Sequence, residues 1–110
     1  MKATLVQGIL AGGKNADGSD WTGGEEVFRK DLAPGSFDFA EGTDGQIASI
    51  QFVCPCGCGS VGSLPVRRGF SSSIWHWDGN KEAPTLTPSV LRTSGCKWHG
   101  YLTKGEWKQA

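Results

Sequence analysis

Histidine occurs only twice in this 110-residue chain, and cysteine is absent from the first 53 residues. Apolar runs are short: none approaches the ~20 residues that a membrane-spanning helix needs. The first ten residues, from Met1 to Leu10, are too short and too often interrupted for a secretory signal, and no cleavage site follows them. Without a secretory context, four cysteines in a small chain do not read as a disulfide scaffold. Net charge is also missing, with 11 Lys/Arg against 11 Asp/Glu. A nucleic-acid-binding domain normally carries a basic surplus, so nucleic acid is not an expected partner. No stretch shows the period of a long amphipathic helix, and no internal repeat is visible.

What the chain does contain is concentrated. All four cysteines and one of the two histidines fall in two short segments, Cys54-Pro55-Cys56-Gly57-Cys58-Gly59 and Cys96-Lys97-Trp98-His99-Gly100. Thiolate and imidazole are the ligands that borderline and soft metals prefer, and a structural zinc takes four in a tetrahedron. Cysteines two apart do not readily bridge each other, because the ring would violate normal disulfide geometry. The metal candidates are therefore Cys54, Cys56, Cys58, Cys96 and His99, five groups for four places. Cys96 and His99 have no local substitutes, and two of the three early cysteines would complete the set. The alternative is a site of all four cysteines with His99 beside it. His76, between two tryptophans, reads as a half-buried strand residue rather than a ligand.

Such a closed set is structural, because a catalytic zinc keeps a position open for water. The zinc-deaminase signature and His-Glu-x-x-His are both absent, and Asp78 and Glu82 are explained by a turn and by solvation. No catalytic residue and no further cofactor-binding residue is assigned, and the balance is against an enzyme. Zn2+ is the expected metal. The alternative is a [2Fe-2S] centre, since Cys96-x-x-His99-Gly100-Tyr101 resembles the second ligand loop of Rieske proteins.

Read in order, Lys2 to Leu10 is an opening strand and the glycine-punctuated stretch after it a loop, with Trp21 pinning it by packing. Thr22 to Glu25 fits a capping-box spacing, yet Glu25 to Leu32 leans to a strand. Ser36 to Ala40 alternates as a strand, Asp44-Gly45 is a hairpin turn, and Ile47, Ile50 and Phe52 lead into Cys54. Val61 to Val66 is a strand. The next begins at Ser71 and runs through Trp77 to a turn at Asp78-Gly79. Pro84 and Pro88 exclude a regular strand across Ala83 to Ser89. Ser89 to Thr93 leads to the second metal turn, and Tyr101 to Trp107 closes as a hairpin through Lys104-Gly105. The expected fold is mostly β, a small single domain over 1–110 with two metal-binding turns, zinc-ribbon-like or Rieske-like. Within it, 1–49 holds N-terminal strands and a mobile loop, and 50–107 the metal-binding core.

The run Trp75-His76-Trp77-Asp78-Gly79-Asn80, then Ala83-Pro84-Thr85-Leu86-Thr87-Pro88-Ser89-Val90-Leu91, together with the early Cys-Pro cluster, resembles the DUF6527 family of small bacteriophage and prophage proteins. The resemblance covers residues 50–107. Some members carry the name ammonia monooxygenase, for which this chain has neither a copper-type histidine cluster nor a membrane span. Others resemble genes beside ubiquitin-activating-like enzymes in bacterial conjugation systems. The resemblance implies a zinc-stabilised accessory module acting through a protein partner in the cytoplasm, the host's if the gene is a phage's. Two alternatives stand beside it, a Rieske-like electron carrier and a zinc hydrolase of protein conjugates. Edge strands in so small a sheet also suit a homodimer.

Overall fold

The computed structural model describes residues 1–23, 26–67, 74–92 and 96–110, and the described residues form strands and turns with no helix. The fold is all-β, as the sequence implies. Among the described residues no helix is long and apolar enough to cross a membrane.

Among the described residues the strands form two four-stranded sheets. The first contains β1 (Thr4–Leu5), β2 (Ser36–Glu41), β3 (Ile47–Val53) and β4 (Val61–Pro65). Its pairs are antiparallel except β1 with β2, which is parallel. The second contains β5 (His76–Trp77), β6 (Leu86–Leu91), β7 (His99–Thr103) and β8 (Glu106–Gln109), antiparallel throughout. In both sheets the spatial order is the chain order. Tight turns return β3 beside β2 and β8 beside β7, whereas β1 reaches its parallel partner β2 through residues 6–35. Gly45 at the β2–β3 turn and the pair Lys104-Gly105 at the β7–β8 turn have positive φ (79°, 49° and 75°). Two successive left-handed residues give the tight hairpin that Lys104-Gly105 implies.

The core lies between the sheets. Phe37, Ile50, Phe52 and Leu64 come from the first, and Leu86, Val90, Leu102 and Trp107 from the second. Period-2 alternation aims them inward: β3 alternates strictly until its last residues, and β7 buries Gly100 and Leu102 while exposing His99 and Tyr101. Trp107 is the keystone. It packs on Phe52 at 5.0 Å and edge-on to Trp98 at 5.7 Å, and its indole N–H donates to the Gly35 carbonyl.

Several local expectations are corrected. The opening strand, expected over Lys2 to Leu10, shrinks to Thr4–Leu5: the chain turns after it, with Ala11 N–H donating to the Gly8 carbonyl and Gly13 N–H to the Leu10 carbonyl, and the residues before it serve the other sheet. Ala3 N–H donates to the Gly105 carbonyl, and Trp107 N–H to the Met1 carbonyl. The segment 26–32 makes single bridges at Phe28 rather than a strand. Pro88 does lie in a strand, β6, but the β6–β7 register shifts between Leu86 and Val90. Four residues of β6 there span two of β7, so the proline sits where no ladder bond is required of it. Expectations for Gly24-Glu25, Arg68, the Ser71–Ser73 strand start and Thr93 fall outside the described residues.

Candidate functional site

The first cysteine turn is the β3–β4 connection. Cys54 N–H donates to the Ser60 carbonyl, closing the loop, and Gly57 N–H donates to the Cys54 carbonyl. Gly57 and Gly59 adopt φ of 94° and 84°, the left-handed conformation that glycine takes at no steric cost. That folding lets the Cys58 N–H point at the Cys56 sulfur, 3.3 Å away. The second turn is the β6–β7 connection, tied across its base by Arg92 N–H to the Trp98 carbonyl. Lys97 follows Cys96 with φ of 53°.

These two turns bring four sulfurs together. The Sγ atoms of Cys54, Cys56, Cys58 and Cys96 all lie within 4.8 Å of one another. Cys54 Sγ is 3.3 Å from Cys56 Sγ and 3.2 Å from Cys96 Sγ. All four are free thiols, Cys54 buried and Cys56 and Cys96 exposed. One ion about 2.3 Å from each thiolate holds its sulfurs roughly 3.8 Å apart, and the group is gathered on that scale. The donor set fits a metal ion and supplies a structural tie between the sheets.

The thiols are not equivalent. Burial pushes Cys54 well up, against a backbone hydrogen bond from Cys56 that lowers it. Burial and the contact with Cys96 also raise Cys56. Burial acts on Cys96 in the same direction, but bonds from the thiols of Cys56 and Cys54 and from the Trp98 backbone outweigh it. They hold Cys96 at about 7.

His99 stands apart from this group. As the first residue of β7 it takes the exposed phase of the alternation, on the face shared with Tyr101. Its Nε2 lies 3.0 Å from Ser89 Oγ of β6. Leu91 is the direct cross-strand partner of His99, so Ser89, two residues earlier, is its diagonal neighbour on the same face. The Ser89 carbonyl accepts the indole N–H of Trp75 at 3.2 Å. His76 is also outside the cysteine group, exposed on β5 opposite Thr87. Asp78 performs the turn role expected of it, its Oδ1 accepting the N–H groups of Asn80 and Thr85.

Ser89 is a residue whose chemistry the sequence does not announce. The signal was the Pro88-Ser89 dipeptide of the quoted segment, but only strand register brings its hydroxyl to an imidazole. A serine Oγ within hydrogen-bond reach of a histidine nitrogen is the geometry of a nucleophile with its base.

Residues 25–110 match the family described as BubE, bacterial ubiquitination-like system serine protease. No curated protein and no solved structure matches the chain. The family named by the match is not DUF6527, although the matched span contains the residues that carry that resemblance. With more than three-quarters of its length inside the match, the chain belongs to the BubE family.

Proposed function

We propose that this protein is a serine hydrolase of acyl bonds at the tails of ubiquitin-like proteins, built on a zinc-tied β scaffold. Ser89 is the nucleophile and His99 the general base. The carrying observation is the 3.0 Å contact between Ser89 Oγ and His99 Nε2 on an exposed sheet face. The family description, which names a serine protease of a ubiquitination-like system, supports the same reading.

The chemistry follows from that contact. With the imidazole proton on Nδ1, Nε2 accepts the Ser89 proton as Oγ bonds to the acyl carbon. The carbonyl π pair moves to oxygen. On collapse the bond to the leaving amine breaks, and His99 returns the proton to that nitrogen. Water, deprotonated by His99, then cleaves the acyl-serine ester and restores the Ser89 hydroxyl. The open face suits a protein substrate, because an extended tail can reach Ser89 without entering a deep cavity.

The cysteine group has a separate task. Cys54, Cys56, Cys58 and Cys96 hold a zinc ion, and His99 is released from ligation to serve the serine. A single ion is favoured over a [2Fe-2S] cluster, which would divide four thiolates between two iron atoms. A zinc-bound module that only binds its protein partner is the second reading, favoured by the completeness of the four-thiol set.

The test is reaction with a fluorophosphonate, which phosphorylates an activated serine with loss of fluoride, followed by mapping of the modified residue. Labelling at Ser89 that disappears in S89A and H99A is expected. An unlabelled wild-type protein that contains one zinc would leave the binding module.

A further inference from the structure

We propose that His76 is the second imidazole of the Ser89 site and donates a hydrogen bond to the acyl oxygen as it becomes negative. This rests on the Ser89–His99 reading above and extends it to a residue that reading does not use.

The chain has two histidines, and both lie in the second sheet. They occupy the strands on either side of β6, which carries Ser89: His99 on β7 and His76 on β5. His76 pairs with Thr87, two residues before Ser89 on the same strand. Trp77 and its partner Leu86 turn inward to the core, so the adjoining pair His76 and Thr87 faces outward. On β7 the buried Gly100 and Leu102 put His99 on the outer face as well, and the Ser89 hydroxyl meets it there. The two imidazoles therefore share the outer face of the second sheet, with the serine's strand between them.

The direction of His76 is fixed by its neighbours. Trp77 packs on Phe39 of the first sheet with ring centroids 5.1 Å apart, and its indole N–H donates to the Asn80 carbonyl. Trp75 also packs against the core, and its indole N–H donates to the carbonyl of Ser89 itself. With both flanking tryptophans anchored inward, alternation turns His76 outward. The Trp75 bond also fixes β5 to the backbone of the nucleophile. An edge strand of two residues otherwise has little to hold its position.

The chemistry needs such a group. Once His99 has taken the proton, the remaining demand is a donor for the oxygen that gains charge, and an imidazole N–H supplies one whether the ring is neutral or protonated. His99 cannot do both, because its Nε2 is committed to the serine. A donor from the opposite neighbouring strand approaches from the side that His99 leaves open.

The experiment compares wild type, S89A, H76A and H76Q in hydrolysis of a 4-nitrophenyl peptide ester and in the rate of fluorophosphonate labelling. In the labelling step Ser89 Oγ bonds to phosphorus, fluoride leaves and His99 takes the proton. Removing one such donor lowers turnover by about 100-fold. That loss is expected in kcat for H76A, with KM little changed and labelling slowed in parallel. H76Q, which retains an N–H donor, should recover a substantial part of it. H76A with wild-type kcat, or with a raised KM alone, would overturn the assignment, as would H76Q no better than H76A. If S89A itself keeps wild-type turnover, the hydrolase reading and this inference fall together. If S89A is inactive and H76A is not, only the inference falls.

Discussion

The sulfurs of Cys54 and Cys96 lie 3.2 Å apart although 42 positions separate them in the chain. Cys54 directly follows β3 of one sheet, and Cys96 belongs to the β6–β7 connection of the other. Their contact joins the two sheets, as do the backbone bonds that residues 1–3 make to Gly105 and Trp107.

Metal removal should consequently loosen the union of the sheets. Structural zinc contributes on the order of 10 kcal/mol to small domains, and each kcal/mol moves the midpoint of a domain near this size by roughly 4–8 °C. A chelator, or C96S, is expected to lower the thermal midpoint by more than about 15 °C. Elemental analysis should give one zinc per chain before treatment. An unchanged midpoint after complete zinc loss would show that the sheets hold without the ion.

Ser89 and His99 can be separated from the metal by their variants. S89A and H99A should each reduce turnover by about 1,000-fold or more, while zinc content and thermal midpoint stay near wild type. Loss of zinc in H99A, with S89A still loaded, would return His99 to the ligand set.

Gly100 links the two regions sterically. A Cβ there would meet the Lys108 carbonyl oxygen at 2.3 Å and the Trp98 ring at 2.5 Å. The backbone contact cannot be relieved by rotating a side chain, so G100A is expected to cost about 3 kcal/mol through overpacking. Chemical denaturation would read this as a shifted midpoint. A loss below about 0.5 kcal/mol, the level of a neutral surface change, would contradict the tight β7–β8 approach.

Acid sensitivity should involve Asp44. The Arg67 guanidinium and then the Gln46 N–H hold its carboxyl at about 2, below the ordinary value of 3.8. Arg67 Nη1 lies 2.7 Å from Asp44 Oδ1, linking the β2–β3 turn to the segment after β4. A depressed folded-state pKa adds stability above the unfolded value, lost as pH falls from about 4 through about 2. The pair is solvent-exposed, so D44N should lower the midpoint at pH 6 by only a few degrees, with no difference left near pH 2. A D44N deficit that persisted at pH 2 would rule out the ion pair as its source.

Local chemistry made much of the fold legible. Asp44-Gly45 and Lys104-Gly105 specify hairpins because the positive φ of their glycines is a property of the turn itself. Alternation did the same for β2 and β3. The strand at Thr4–Leu5 was overextended because residues 1–3 pair beside β8, and no local pattern reveals a partner some hundred positions away. Pro84 and Pro88 argue against a regular strand across Ala83 to Ser89, yet β6 runs through Pro88, because a missing N–H matters only where the ladder needs one. At the site, clustering of Cys54, Cys56, Cys58 and Cys96 was readable from spacing. Which face His99 takes was not, since it depends on where β7 begins, and that same phase joins it to Ser89.

The agreement between spatial order and chain order also has a consequence for synthesis. The strands of the first sheet are complete by Pro65, and those of the second begin at His76. As the chain leaves the ribosome, three thiols emerge just before β4, while the fourth follows 38 positions after Cys58. An ion captured early would rest on an open three-thiol platform until Cys96 arrives. Residues 1–3 have an even longer wait, because their partners at Gly105 and Trp107 emerge almost last. Assembly therefore ends by closing two distant seams together, one of sulfur and one of backbone, and a chain truncated before Cys96 would have neither.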